Sequence, residues 1–298
     1  MKQHLFAKRV VAVAVCALAL ACSLAAAEDR LRMSTTTSTE NSGLLNVLLP
    51  PFEKECNCKV DVISVGTGKA LKLGEQGDVD VVLVHARALE DKFIADGFGV
   101  NRRDVMYNDF VVIGPATDPA DVRHAAGAAD AFRRIAARRS LFISRGDDSG
   151  TYQKEMEIWS AASIAPAGSW YRSAGQGMGE VINMATELRG YTLADRGTYN
   201  ALRHGKTDLA ILYEGSRGFS RPGKPMPKLT AKQVRAMTGA NGLFNPYGVI
   251  AVNPRRFPHT RYDLAMKFIA YITGAEGQAI ITGYRVEGDP VFFTFKKE

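Results

Sequence analysis

Short runs rich in valine, isoleucine and phenylalanine recur at residues 60–65, 79–84, 110–113, 141–144, 208–213 and 249–252, each bounded by glycine, proline or charge. Runs of this length and composition predict strands, several of them covered on both faces. Between them the apolar period changes. Leu44, Leu45, Leu48, Leu49 and Phe52 recur at helical spacing, as do Tyr152, Met156, Ile158 and Trp159, and later Leu264, Phe268, Ile272 and Ile280. Alternating strands and helices predict an α/β fold. The Ala/Arg-rich stretch 125–139 reads as a solvated helix. Gly218, Pro222, Gly223, Pro225 and Pro227 mark 216–242 as a surface insertion, with a short helix over 230–238 capped by Thr230.

The chain begins differently. Lys2, Lys8 and Arg9 precede an apolar stretch at 10–21, and Ala25-Ala26-Ala27 stand before Glu28 and Asp29. That layout predicts a signal peptide over 1–27 and a periplasmic product, with lipid attachment at Cys22 as the lesser alternative. The apolar stretch is shorter than the ~20 residues that a membrane-spanning helix needs. The remaining length, about 270 residues, is where chains divide into two lobes. The formal net charge of +7, less the three positive charges of Lys2, Lys8 and Arg9, leaves +4. So small an excess is weak evidence for a nucleic-acid partner; it is compatible with an anionic ligand and equally with ordinary surface lysines and arginines. Outside the leader, Cys56 and Cys58 read as two thiols or a local bridge at a turn; without histidines nearby in sequence they form no zinc pattern.

Ligands of α/β sheets bind beyond the carboxyl ends of the strands. Three predicted strand-to-helix junctions are rich in hydroxyls and glycine: 33–39, 65–69 and 144–151. A helix start offers unpaired backbone N–H groups and the positive end of the helix dipole, which together attract anions. Any one junction could hold only its own helix cap. The six hydroxyls of Ser34 to Thr39 exceed what a single cap can use. Arg145 supplies a fixed positive charge that pairs well with oxyanions, or else bridges to Asp147 or Asp148. Sites built from donors favour fully deprotonated dianions such as tungstate, molybdate and sulfate; hydrogen phosphate gains from an acceptor. Six charge-assisted hydrogen bonds at roughly 2 kcal/mol each set an upper estimate of about 12 kcal/mol, or nanomolar affinity.

A secreted serine hydrolase is the enzymatic alternative, with Ser149 as nucleophile. It needs an oriented base. Of the histidines outside the leader, His124 and His204 sit among loop or surface residues and His259 follows a proline. His85 ends a strand, where a packed imidazole is expected. No Walker-type phosphate loop is present, and no cofactor or metal site is expected.

The segments 35–39 with 41–45, 65–71, 107–111, 144–151, 173–178, 195–199 and 245–254 resemble, in order, those of TupA-type tungstate-binding proteins of ABC transporters. The resemblance implies a type II periplasmic-binding-protein fold, in which two α/β lobes joined by two crossing segments hold the ligand in a cleft. The crossings would be 107–114 and 245–253. Lobe 1 would comprise 28–110 and 246–298, and lobe 2 would comprise 111–245, including the insertion 216–242. Carried over by position, Thr36, Thr37, Ser38, Thr67, Arg145, Ser149, Gly150 and Thr151 would contact the oxyanion. A rigid guanidinium and a positioned hydroxyl penalise small misfits, so Arg145 and Thr151 are expected to tune tungstate against molybdate. The implied partners are a membrane permease and its cytoplasmic ATPase, served by a monomer. Molybdate, sulfate or phosphate remain alternative ligands on the same fold.

Overall fold

In a computed structural model of the chain, the described residues are 29–147, 149–203, 205, 207–214, 229–236, 242–286 and 288–296. The six apolar runs fall in strands, and three further strands, the first, sixth and seventh, join them: β1 (Asp29–Thr36), β2 (Cys58–Val65), β3 (Val81–Val84), β4 (Gly99–Gly114), β5 (Phe142–Ser144), β6 (Tyr171–Ser173), β7 (Thr192–Asp195), β8 (Ala210–Glu214) and β9 (Phe244–Val252). β4 and β9 are much longer than the apolar runs suggested. β4 starts well before the 110–113 run because its first half, with alternating exposure at Val100 to Asp104, is a strand with one face partly open to solvent.

β1 lies between β2 and β3, parallel to both, and β9 pairs antiparallel with β3 and β4. The first half of β4 completes this sheet. Its second half pairs antiparallel with β7 and β8. β5 pairs parallel with β6, and a bridge from Phe142 to Tyr191 carries them to the residue preceding β7. The molecule therefore has two α/β lobes, and the long β4 runs from one into the other while β9 passes beside it.

Both sheets are covered on two faces. In the first lobe Leu31, Met33, Phe52 and Phe268 pack on one side, and Leu71, Val82, Phe93 and Ile250 on the other. In the second, Phe132, Phe142 and Trp159 oppose Val111, Val181 and Ile182. This double covering explains why the strands read as continuous apolar runs.

The stretch expected to be a solvated helix is only half so. The helix Ala128–Ala137 buries Ala128, Ala131, Phe132 and Ile135, and the Phe132 ring lies 4.4 Å from that of Trp159. Its arginines had masked an apolar face at helical spacing. Of the predicted insertion, 216–228 and 237–241 lie outside the described residues. The short helix is Ala231–Ala236, and Thr230 forms a capping box with Gln233: the Gln233 N–H donates to Thr230 Oγ1 at 3.2 Å, and the Thr230 N–H to Gln233 Oε1 at 2.9 Å. Val234 anchors this helix against Tyr107 and Phe244, so it is not merely a surface element. Cys56 and Cys58 are joined in a disulfide, with Asn57 in the left-handed conformation between them.

Candidate functional site

The strand registers decide which loops meet. Thr36 stands opposite Val65, and Thr35 opposite Leu83, so the carboxyl ends of β1, β2 and β3 are level. Thr36 to Ser38, Gly66-Thr67 and His85 converge there. In the other lobe Ser144 stands opposite Ser173, and Phe110 opposite Asp195, which turns the carboxyl ends of β5, β6 and β7 towards the crossing. The helices Thr67–Gln76 and Gly150–Ala161 begin at these ends, so their positive termini face one shared cleft.

Direct bonds join the two walls. The Gly150 N–H donates to Thr67 Oγ1 at 3.1 Å, and Arg145 Nη2 reaches Thr37 Oγ1 at 3.5 Å. Gly150 has to be a glycine, because a Cβ there would lie 2.8 Å from His85 Nδ1 and 3.2 Å from the His85 carbonyl oxygen. Ser149 is the N-cap of its helix, accepting the Tyr152 N–H at 3.1 Å, and its own hydroxyl proton remains available to donate.

Arg145 is only 3% exposed. Its Nη2 donates to Asp147 Oδ2 at 2.6 Å, and Asp147 also accepts the Ser149 N–H at 3.2 Å. The carboxylate thus helps to shape the loop. Among the described residues, Arg145 Nε and Thr151 Oγ1 are buried polar atoms with no hydrogen-bond partner. Native proteins rarely leave such groups unmatched, since each costs about 1–3 kcal/mol. Both are donors within the loop and helix start 145–151, which is what an anion would satisfy.

The residues singled out from the sequence come together, but with different duties. Thr37, Ser38, Thr67, Arg145, Ser149, Gly150 and Thr151 surround the cleft. Thr36 is the N-cap of the short helix Thr37–Asn41: its Oγ1 accepts the Thr39 N–H at 3.3 Å and lies 2.7 Å from Thr39 Oγ1. Its hydroxyl oxygen therefore serves its own loop as an acceptor.

Behind these residues lies a polar floor whose role the sequence did not reveal. The His85 ring sits between the hydroxyls of β1 and the crossing strand β9. Its Nε2 lies 3.0 Å from Ser38 Oγ and 3.1 Å from Thr36 Oγ1, and its Nδ1 lies 3.0 Å from Asn245 Oδ1. Asn245 Nδ2 donates to Asn108 Oδ1 at 2.8 Å, tying β9 to β4. Burial and the positive Arg145 lower the His85 pKa to about 4, so the ring is neutral. Burial raises Asp195, whose carboxylate accepts from the Thr198 N–H at 2.8 Å and from its hydroxyl. The signal that could have revealed this floor was the polar residues inside apolar crossing strands: Asn108 in β4 and Asn245 in β9.

The packed imidazole expected at His85 is what the structure has, and its ring nitrogens engage Ser38, Thr36 and Asn245. His124 pairs with Asp121, and His259 bonds to the Gly77 carbonyl at 2.9 Å. His204 lies outside the described residues.

Comparison with known proteins follows the same lines. The PBP superfamily domain matches residues 24–276. The tungstate-binding protein TupA of Peptoclostridium acidaminophilum is 40% identical over 270 residues, 89% of this chain and 86% of that protein. A crystal structure of the tungstate ABC transporter from Geobacter sulfurreducens is 60% identical with a TM-score of 0.72, covering 86% of this chain and 98% of that one. The tungstate-binding protein TupA from Desulfovibrio alaskensis G20 is 40% identical with a TM-score of 0.69, covering 90% and 100%.

Proposed function

The chain belongs to the PBP superfamily and, within it, to the family of TupA tungstate-binding proteins; from that premise we propose that it captures tungstate and delivers it to an ABC transporter. One observation carries the assignment to this cleft: Arg145 Nε and Thr151 Oγ1 are buried donors without a partner among the described residues. A dianion lodged between the lobes supplies the missing acceptors. Thr37, Ser38 and Thr67 contribute from one wall, and Arg145, Ser149, Gly150 and Thr151 from the other.

The chemistry is recognition rather than catalysis. Tungstate is a fully deprotonated tetrahedral dianion and presents acceptors in every direction. The guanidinium, the hydroxyls and the helix N-termini present donors. Thr36 belongs to this set through its loop, since its hydroxyl caps the helix that carries Thr37 and Ser38. Arg145 also supplies the charge, and ligand binding would redistribute its bond to Asp147.

The leader 1–27 would direct the chain across the membrane. We place the lobes at 28–110 with 246–298 and at 111–245, so that β4 and β9 form the crossings about which they close. A monomer holding one anion would present both lobes to a permease, whose cytoplasmic ATPase drives release.

Equilibrium dialysis against tungstate, with tungsten measured by elemental analysis, tests the proposal. One tungsten atom per chain is expected for the wild-type protein, and none retained by Arg145→Ala. A wild-type protein that retains no tungsten contradicts it.

A further inference from the structure

The cleft hydroxyls carry protons whose directions decide whether they can serve an anion. Thr36 Oγ1 and Ser38 Oγ lie 3.0 Å apart, and both lie within 3.1 Å of His85 Nε2. A neutral imidazole has one N–H and one lone pair. Its two faces are therefore unlike.

The lone pair can be located. Asn245 donates through Nδ2 to Asn108 Oδ1, which turns its own Oδ1 towards His85 Nδ1 at 3.0 Å. An oxygen there can only accept, so the His85 proton sits on Nδ1 and the lone pair on Nε2. That lone pair takes one hydroxyl proton, although two hydroxyls are within reach. Thr36 Oγ1 accepts the Thr39 N–H at 3.3 Å and, 2.7 Å from Thr39 Oγ1, can accept that hydroxyl's proton as well, which leaves its own proton to turn to His85. Ser38 then keeps its proton for the cleft. The Tyr247 ring packs 4.6 Å from the His85 ring.

We propose that His85 is a positioning residue: fixed as the Nδ1–H tautomer by Asn245, it accepts the Thr36 hydroxyl proton and so leaves Ser38 as a donor to the bound oxyanion. This rests on the proposed oxyanion site and deepens it by assigning the orientation of its first loop. A protonated His85 would have no lone pair, and both hydroxyls would turn away from it. Burial and the charge of Arg145 keep the ring neutral.

Nitrogen-15 NMR of histidine-labelled wild-type protein at neutral pH reads the tautomer directly. A neutral Nδ1–H ring at His85 is expected; a neutral Nε2–H ring or an imidazolium overturns the proposal. Titration with tungstate then separates two kinds of failure. If the wild-type protein does not bind, the oxyanion reading itself fails. If it binds, His85→Asn, which keeps a donor for Asn245 and removes the acceptor, should weaken binding at least about tenfold. His85→Gln, whose amide oxygen reaches the Nε2 position, should recover most of that loss. On a Ser38→Ala background His85→Asn should cost little more, because the donor it orients is already gone. Wild-type affinity in His85→Asn, failure of His85→Gln to recover binding, or fully additive losses each overturn the proposal.

Discussion

The backbone N–H of Gly150 donates to the hydroxyl of Thr67 at 3.1 Å, joining the start of one lobe's helix to the start of the other's. Together with the Arg145–Thr37 contact it brackets the cleft from two sides. Two positive helix ends held this close repel one another, and a dianion between them relieves that repulsion. Geometry and charge thus make the same demand.

The approach depends on a missing side chain. Gly150→Ala would press a methyl group against the His85 ring and carbonyl. The lobes should part at this point, breaking the bond to Thr67. Titration calorimetry should show affinity reduced by at least about tenfold, because the donors of the two walls would no longer converge on one anion. An unchanged affinity would mean that this approach is irrelevant to binding.

Thr151 separates stability from binding. Its hydroxyl is buried and has no partner among the described residues, so Thr151→Val keeps the shape and removes a destabilising group. The ligand-free protein should gain up to about 1–3 kcal/mol, seen as a higher melting temperature, while tungstate affinity falls. A variant that loses stability and keeps its affinity would show that the hydroxyl has no ligand role.

Arg145 should govern discrimination as well as strength. Arg145→Lys keeps the charge but not the rigid fork, so binding of both tungstate and molybdate should weaken and the ratio of their affinities should change. Equal losses measured side by side would remove Arg145 from the account of selectivity.

Glu155 sets a pH dependence. It is buried on the helix that begins at Gly150, where its Oε1 accepts from Trp159 Nε1 at 3.2 Å and from Tyr171 OH at 2.8 Å. Burial raises its pKa from 4.5 to about 7, so folding favours the neutral acid. The stability this contributes is complete below pH 4.5 and is lost as pH rises through about 7. Glu155→Gln is neutral throughout and keeps an acceptor. Between about pH 5 and about pH 8 the wild-type protein should lose up to about 3 kcal/mol relative to it. Parallel denaturation profiles for the two proteins would contradict this.

The fold was legible where the signal was local. Covered strands announced themselves as valine-rich runs, and the hydroxyl-rich loop ends stood out because Thr37, Ser38, Ser149 and Thr151 lie beside their own helix starts. The apolar face of the helix Ala128–Ala137 is hard to read in the sequence because arginines crowd between Phe132 and Ile135. His85 was expected to be packed, but its role could not be read, since its partner Asn245 is 160 residues away. The Thr67–Gly150 bond spans 83 residues and needed the strand registers to bring it together. Even the division of labour within Thr36-Thr37-Ser38 depended on seeing which hydroxyl the helix uses as its cap.

Titration calorimetry of the purified mature protein with tungstate, molybdate, sulfate and phosphate in one buffer tests the central claim most directly. The account predicts tight one-to-one binding of tungstate, with weak responses to sulfate and phosphate. No heat of binding with any of the four anions would contradict it.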